Sequence, residues 1–156
     1  MRKGLTVGVA MVVTALAVPG LAAGVTDPGA EPDPRIVDGT AQRELDAART
    51  AWRAYGQRHY RMRIRTDCFC AEDVRRPRRI EVLNGRPTER PPAHLRDYAT
   101  VWRLFARVQE AIDDEVAGLT AVYDAHGVPR ELFVDVSHMI ADEEHGVRVV
   151  RFRALD

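Results

Sequence analysis

Several features common in enzymes and membrane proteins are scarce or missing in this chain of 156 residues. Its two cysteines cannot build a disulfide-dense scaffold, nor a zinc site made of thiolates alone. Its single serine, Ser137, lies in no nucleophile elbow, and the chain has no glycine-rich phosphate loop. A formal net charge of zero gives no general attraction to nucleic acid or to an anionic membrane. We therefore expect no cofactor and no nucleic-acid partner, and the sequence favours a protein that is not an enzyme.

The amino terminus has the pattern of a secretory signal peptide. Arg2 and Lys3, the only lysine, precede an apolar run over 4–18, and small residues follow at 22–24. The apolar run is shorter than the roughly 20 residues that span a bilayer. We predict a signal peptide over 1–24, a secreted or extracytoplasmic protein, and no stable membrane span after cleavage. Retention of the segment as an uncleaved anchor is the alternative.

The next segment, 25–39, contains three prolines and two glycines and shows no apolar period, which predicts a flexible linker. A single domain is predicted over 40–156. Its first element is a helix that ends at Gly56, because apolar residues recur every three to four positions. These residues are Ala41, Leu45, Ala48, Trp52 and Tyr55.

Strands and a second helix follow. Period-two alternation over 59–70 predicts a half-buried strand with a basic outer face. Asn84-Gly85 predicts a hairpin on a primed turn, with a short edge strand at Pro87. An apolar stripe predicts an amphipathic helix over 101–116. Further strands are expected at 119–124, 131–137 and 146–153. Strands that follow a helix, rather than alternate with helices, favour an α+β fold. We expect an antiparallel sheet of five to six strands, with one amphipathic helix packed on it and an N-terminal helix.

A set of short motifs spread over the chain resembles an uncharacterised family. The motifs are Tyr60–Cys70 ending in Cys-Phe-Cys, Ile80–Gly85, Leu104-Phe105 with Val108-Gln109, Val122–Asp124, Gly127–Pro129, Val134-Asp135 and Ala141–Glu144. Together they resemble a domain of unknown function found in small secreted proteins and lipoproteins of actinobacteria. The resemblance covers roughly residues 48–150. It implies an extracytoplasmic location but no activity, and this chain lacks the lipidation cysteine of the lipoprotein members.

The two cysteines offer the most specific chemistry. On a strand, Cys68 and Cys70 face the same apolar side with Cα atoms about 6.6 Å apart. That separation is close to the upper limit for a disulfide, about 6.8 Å, so a bond requires a local pinch of the chain. A disulfide is favoured in an exported protein. A reduced buried pair, a redox-active pair and a thiolate metal site are the alternatives.

Two sets of charged residues are candidates for binding a partner or an ion. Arg61, Arg63 and Arg65 share the outer face of the first strand, and with the arginine-rich segment 75–79 they form a possible site for an anionic partner. Asp124, Asp142, Glu143 and Glu144 are weak candidates for binding a hard cation such as Ca²⁺ through oxygen ligands.

Two classes of function follow from these features. The first is an exported, non-enzymatic binding or interaction module whose partner is a protein or an envelope polymer. The second is a thiol-disulfide redox protein that uses Cys68 and Cys70.

Overall fold

The computed structural model describes residues 31–136 and 145–155. The helices are α1 (Pro34–Val37), α2 (Thr40–Tyr55), α3 (Glu72–Arg75) and α4 (Val101–Asp113), and a 310 helix covers Ala93–Tyr98. The strands are β1 (His59–Asp67), β2 (Arg78–Leu83), β3 (Arg86–Pro87), β4 (Gly118–Tyr123), β5 (Pro129–Asp135) and β6 (His145–Ala154). They form one antiparallel sheet in the order β3-β2-β1-β6-β5-β4. This confirms the predicted α+β fold. The predicted signal peptide, and Asp142, Glu143 and Glu144, lie outside the described residues.

One face of the sheet is covered by helices and the other is open. Alternate residues of β1 point to the covered face, where Tyr60, Met62 and Ile64 are buried. The ring of Trp52 on α2 meets Tyr60 edge-on at 5.4 Å between centroids, so α2 packs on this face. The core also takes side chains from α4 and from β4, β5 and β6, namely Leu104, Phe105, Val108, Leu119, Leu132, Val147 and Val149. Burial of this apolar surface is the main favourable term in folding.

The β2–β3 hairpin sets one edge of the sheet. Asn84 and Gly85 both have positive φ, 53° and 77°, as the predicted primed turn requires. The returning strand β3 has only two residues, Arg86 and Pro87. Because Pro87 has no N–H to donate, pairing beyond it would be interrupted, and β3 stays at the edge as predicted.

The two long helices begin and end at specific residues. Gly56, with a φ of 67°, ends α2 as predicted, and its N–H donates to the Trp52 carbonyl. The Thr100 hydroxyl accepts from the Arg103 N–H and caps α4. However, α4 ends at Asp113, before the predicted end near residue 116, because Glu115 takes a left-handed conformation with a φ of 51°. Gly118, two residues after the predicted end of this helix, is already the first residue of β4.

The structure describes residues 31–39 of the predicted linker, and this part is hydrogen-bonded to the domain. Its residues 34–37 form α1, and Asp33 caps this helix by accepting from the Arg35 N–H. The other carboxylate oxygen of Asp33 accepts from the Leu119 N–H at 2.8 Å, and the Asp33 N–H donates to the Val116 carbonyl. The folded domain therefore includes at least residues 33–37, before the helix that begins at Thr40.

The β4–β5 connection presses directly on α2. Gly127 has a φ of 78°, and a Cβ added there would lie 2.9 Å from the backbone nitrogen of Trp52. Only glycine fits this position without displacing the helix. The turn is further ordered by Asp124, whose carboxylate accepts from the N–H groups of His126 and Val128.

A buried hydrogen bond joins the sheet to the start of α4. The hydroxyl of Tyr60 accepts from the Val101 N–H at 3.0 Å, and burial raises the pKa of Tyr60 to about 12. Val101 is the first residue of α4, so its N–H has no partner within the helix. The hydroxyl of Tyr123 is also buried, but it has no hydrogen-bond partner in the described part of the chain.

Tyr60→Phe and Tyr123→Phe each remove one buried hydroxyl, but we expect them to change the free energy of unfolding differently. Tyr60→Phe should lower the free energy of unfolding by about 1–3 kcal/mol, because the buried Val101 N–H loses its acceptor. Tyr123→Phe should leave stability unchanged or raise it, because no hydrogen bond is lost. Chemical denaturation of both variants measures the difference, and equal losses of stability would show that the Tyr60 bond has no specific role.

Candidate functional site

The open face of the sheet carries a row of arginines. Strand β1 lies between β2 and β6, so its outward residues Arg61 and Arg63 each have a neighbour on both sides. Arg63 pairs with Arg79 of β2 and with Arg151 of β6. One pair further along, Arg61 lies between Glu81 and Arg153. Like charges directly opposite one another destabilise a sheet. The row of Arg79, Arg63 and Arg151 is therefore unfavourable for stability in the free protein.

Some arginines of the open face are neutralised by carboxylates. Glu81 accepts from Nε and Nη2 of Arg61 at 3.1 and 2.6 Å. Arg65 donates to Asp67 at 2.9 Å, and Arg148 donates to Glu131 at 2.8 Å. These pairs remove three of the positive charges from the surface.

Four arginines stay without such a partner. Within residues 31–136 and 145–155, no carboxylate forms an ion pair or hydrogen bond with Arg63, Arg79, Arg151 or Arg153. All four side chains are exposed. Together with Arg61 they line a depression of about 450 Å³ on the open face. We call these five arginines the basic face. Its unpaired guanidinium groups can form bidentate hydrogen bonds with phosphate or carboxylate oxygens.

The three predicted partner-binding residues share one strand but differ in their carboxylate partners. Arg61, Arg63 and Arg65 all point to the open face, as the alternation of β1 requires. Only Arg63 lacks a carboxylate partner among the described residues, since Arg61 bonds Glu81 and Arg65 bonds Asp67. Sequence reasoning missed the contribution of β6, because nothing local in a sequence indicates which distant strand lies beside β1.

The cysteine pair lies beyond the end of β1. The strand stops at Asp67, so the prediction that it continues through both cysteines is wrong. Cys68 and Cys70 lie in a bend with their sulfurs at disulfide-bonding distance and their Cα atoms 5.3 Å apart. An extended strand would hold these Cα atoms about 6.6 Å apart, so the bend supplies the pinch that the bond needs. Both cysteines are half-buried, and Phe69 between them is fully exposed.

The carboxylate of Asp124, a candidate cation ligand, has a structural role in the turn before β5. It accepts two backbone hydrogen bonds, and its second oxygen lies 3.8 Å from Arg130. Among the residues that the structure describes, no three His, Cys, Asp or Glu side chains come together in a metal-binding arrangement. In the same part of the chain, no helix has both the length and the apolar character needed to cross a bilayer.

These features define an α+β domain with one helix-covered face and one open, arginine-rich face. The profile of a family of unknown function, DUF6174, matches residues 44–154, and the chain belongs to this family. The matched segment runs from α2 to the last residue of β6, so it includes the whole sheet. No curated protein and no solved structure matched the chain.

The ion pair between Arg61 and Glu81 should affect how the carboxyl group of Glu81 titrates. Hydrogen bonds from Arg61, and next from His59, hold the pKa of Glu81 below its ordinary value. Since the folded-state pKa is lowered, charged Glu81 contributes stability above its unfolded-state pKa, and this contribution is lost as the pH falls through the folded-state pKa. Arg61→Gln should raise the pKa of Glu81, as measured by NMR titration of its side-chain carboxyl carbon. Arg65→Gln is the matched control and should leave the titration unchanged. Identical midpoints in both variants would contradict the assignment.

Proposed function

We propose that this protein is an exported, non-enzymatic binding module whose basic face binds an anionic polymer of the cell envelope. The observation that carries the proposal is the row of Arg79, Arg63 and Arg151, three adjacent like charges without a carboxylate partner in the described residues. Repulsion between these arginines lowers the stability of the free protein. A polyanion that lies across the row relieves this repulsion and forms hydrogen bonds with the guanidinium groups.

The shape of the basic face supports an extended partner. The depression is partly open to solvent, and its arginines are spread over three neighbouring strands rather than gathered at one point. Neighbouring strands lie about 4.8 Å apart, so the three arginines of the row start from Cα atoms that follow a line across the sheet. A polymer with regularly spaced anionic groups can contact several of them at once, whereas a single small anion can contact only one or two.

We also propose that the protein is exported and that its source is an actinobacterium. The support for export is the order of residues at the amino terminus, where Arg2 and Lys3 precede a short apolar run and small residues at 22–24. An exported protein with a basic face meets the anionic polymers of the envelope directly. The membership in DUF6174 adds no activity, because the family is itself of unknown function.

The double substitution Arg63→Gln/Arg151→Gln tests the basic face. We expect the full chain to bind polyphosphate at low salt, and the variant to bind about tenfold or more weakly, a loss of about 1.4 kcal/mol or more. The dependence of log affinity on log salt should become shallower by about one per arginine removed. Because like-charge repulsion is relieved, the variant should unfold at the same or a higher temperature.

The matched control is Arg53→Gln/Arg96→Gln, which removes two exposed arginines from the helix-covered side of the domain. It changes net charge by the same amount and should keep full affinity. Binding of polyglutamate in preference to polyphosphate would favour an acidic protein as the partner. Equal weakening by both double substitutions, or no retention of the protein on isolated cell envelopes at low salt, would overturn the proposal.

A thiol-disulfide redox protein is the second candidate function. The observation that favours it is the position of Cys68 and Cys70 on the wall of a pocket rather than in the core, where a substrate thiol can reach them. In such a reaction a substrate dithiol is oxidised to a disulfide. Its two electrons and two protons convert Cys68 and Cys70 to thiols.

Thiol titration tests this second candidate. A redox-active pair should yield two free thiols after mild dithiothreitol treatment of the native protein, without denaturant. The same treatment in denaturant provides the total thiol count. If thiols appear only in denaturant, the pair is a structural disulfide and the redox function is wrong.

A further inference from the structure

One edge of the sheet is formed by β4, which has a single neighbour, β5, among the described strands. The six residues of β4, Gly118–Tyr123, include no charged residue and no proline. Two of them, Thr120 and Val122, are exposed. An uncharged edge strand readily pairs with another chain, and native proteins usually prevent this with a charge, a proline or a covering segment. The sequence of β4 itself supplies neither a charge nor a proline.

Residues 33–35 cover this edge at Leu119. The Leu119 N–H donates to Oδ2 of Asp33 at 2.8 Å, and the Leu119 carbonyl accepts from Nη1 of Arg35 at a longer 3.5 Å. In an antiparallel strand both backbone groups of a residue point to the same side, so those of Leu119 point away from β5. Two side chains therefore occupy the hydrogen-bonding positions that a further strand would take. We call residues 33–35 the edge block.

The edge block is held in place by contacts outside β4. The Asp33 N–H donates to the carbonyl of Val116, which precedes the strand. Arg35 forms an ion pair with Glu44 of α2, and the next residue, Ile36, packs against the core. Attachment to the domain at these points keeps the two side chains aligned with Leu119.

The direction of the backbone determines how a second copy would pair with this edge. The backbone groups of Ala121 point the same way as those of Leu119, because direction alternates along a strand. A twofold axis at Thr120 would pair Leu119 with Ala121 of the second copy, and Ala121 with Leu119. Each such pair would exchange both of its N–H···O bonds. This pairing requires the two groups of Leu119 that the edge block occupies.

We propose that the edge of β4 is a pairing surface for a second copy of this chain, and that the edge block keeps the protein monomeric by occupying Leu119. When the edge block is released, two copies join into one continuous antiparallel sheet. The proposal does not depend on the function of the basic face, whose arginines lie on β1, β2 and β6.

Amide hydrogen exchange of the full chain tests whether the edge block forms in solution. The N–H groups of Leu119 and Ala121 both point to the free edge, but only that of Leu119 has an acceptor among the described residues. After correction for intrinsic rates, the Leu119 amide should exchange about tenfold or more slowly than the Ala121 amide. Equal exchange of the two amides would contradict the proposal.

The double substitution Asp33→Pro/Arg35→Ala removes the edge block. Proline lacks both the N–H and the carboxylate of Asp33, and the φ of Asp33, −52°, is one that proline adopts. In sedimentation equilibrium at about 100 μM, the unsubstituted chain should be monomeric and the variant dimeric. The apparent dissociation constant of the dimer should fall about tenfold or more. A variant that circular dichroism shows to be folded but that stays monomeric would rule the proposal out.

A matched control and a second-site substitution test whether association uses β4. Asp38→Ala/Arg43→Ala removes the same two residue types from the start of α2, close to the edge block, and should stay monomeric. Thr120→Lys added to Asp33→Pro/Arg35→Ala should restore the monomer, because two lysines would face each other at the twofold axis. Dimerisation of the control, or a dimer that persists with Thr120→Lys, would place the association elsewhere and refute the pairing.

Arg35→Ala alone provides a milder test if the double variant does not fold. It retains the Asp33 cap of α1 and the bond from Leu119 to Asp33, and frees only the Leu119 carbonyl. The apparent dissociation constant of the dimer should fall by a smaller factor, about threefold. The same association as in the unsubstituted chain would show that Arg35 does not protect the edge.

Discussion

The position of β1 between β2 and β6 is the constraint on which the rest of the structure depends. Its alternation places Tyr60, Met62 and Ile64 under the helices and its arginines on the open face. A shift of pairing by one residue would bury the arginines and expose the core residues, so the register is strongly specified. The same register determines which arginines become neighbours. The packing of the core and the repulsion on the open face are therefore two consequences of one strand.

Local periodicity was enough to predict most of the elements. The apolar repeat of α2, the stripe of α4, the alternation of β1 and the Asn84-Gly85 turn are signals contained within a few consecutive residues. The pairing of β1 with β6 cannot be predicted from such local signals. β6 begins almost 80 residues after β1 ends, and no pattern within either strand indicates the other as its partner. For this reason Arg151 and Arg153 could not be assigned to the basic face beforehand.

Two further features depend on the detailed path of the backbone. The pairing of β1 with β6 shifts after Arg63, so that Arg151 pairs with Arg63 and Val149 pairs with Ile64. The extra residue, Val150, is exposed, and it breaks the alternation that would otherwise mark β6 as half-buried. Similarly, an alternating pattern extends through Cys70 in the sequence, but the backbone leaves the sheet at Asp67.

A formal net charge of zero conceals how charge is distributed over this domain. The carboxylates near β1 neutralise Arg61, Arg65 and Arg148, whereas Arg63, Arg79 and Arg151 face one another across the sheet. At the far end of β1, Asp97 lines a pocket whose described residues include no arginine. Screening in physiological salt acts over about 8 Å, a distance of two or three residues along a strand. The basic face therefore presents its own local charge to a partner, and the total for the chain excludes only a general, non-specific attraction.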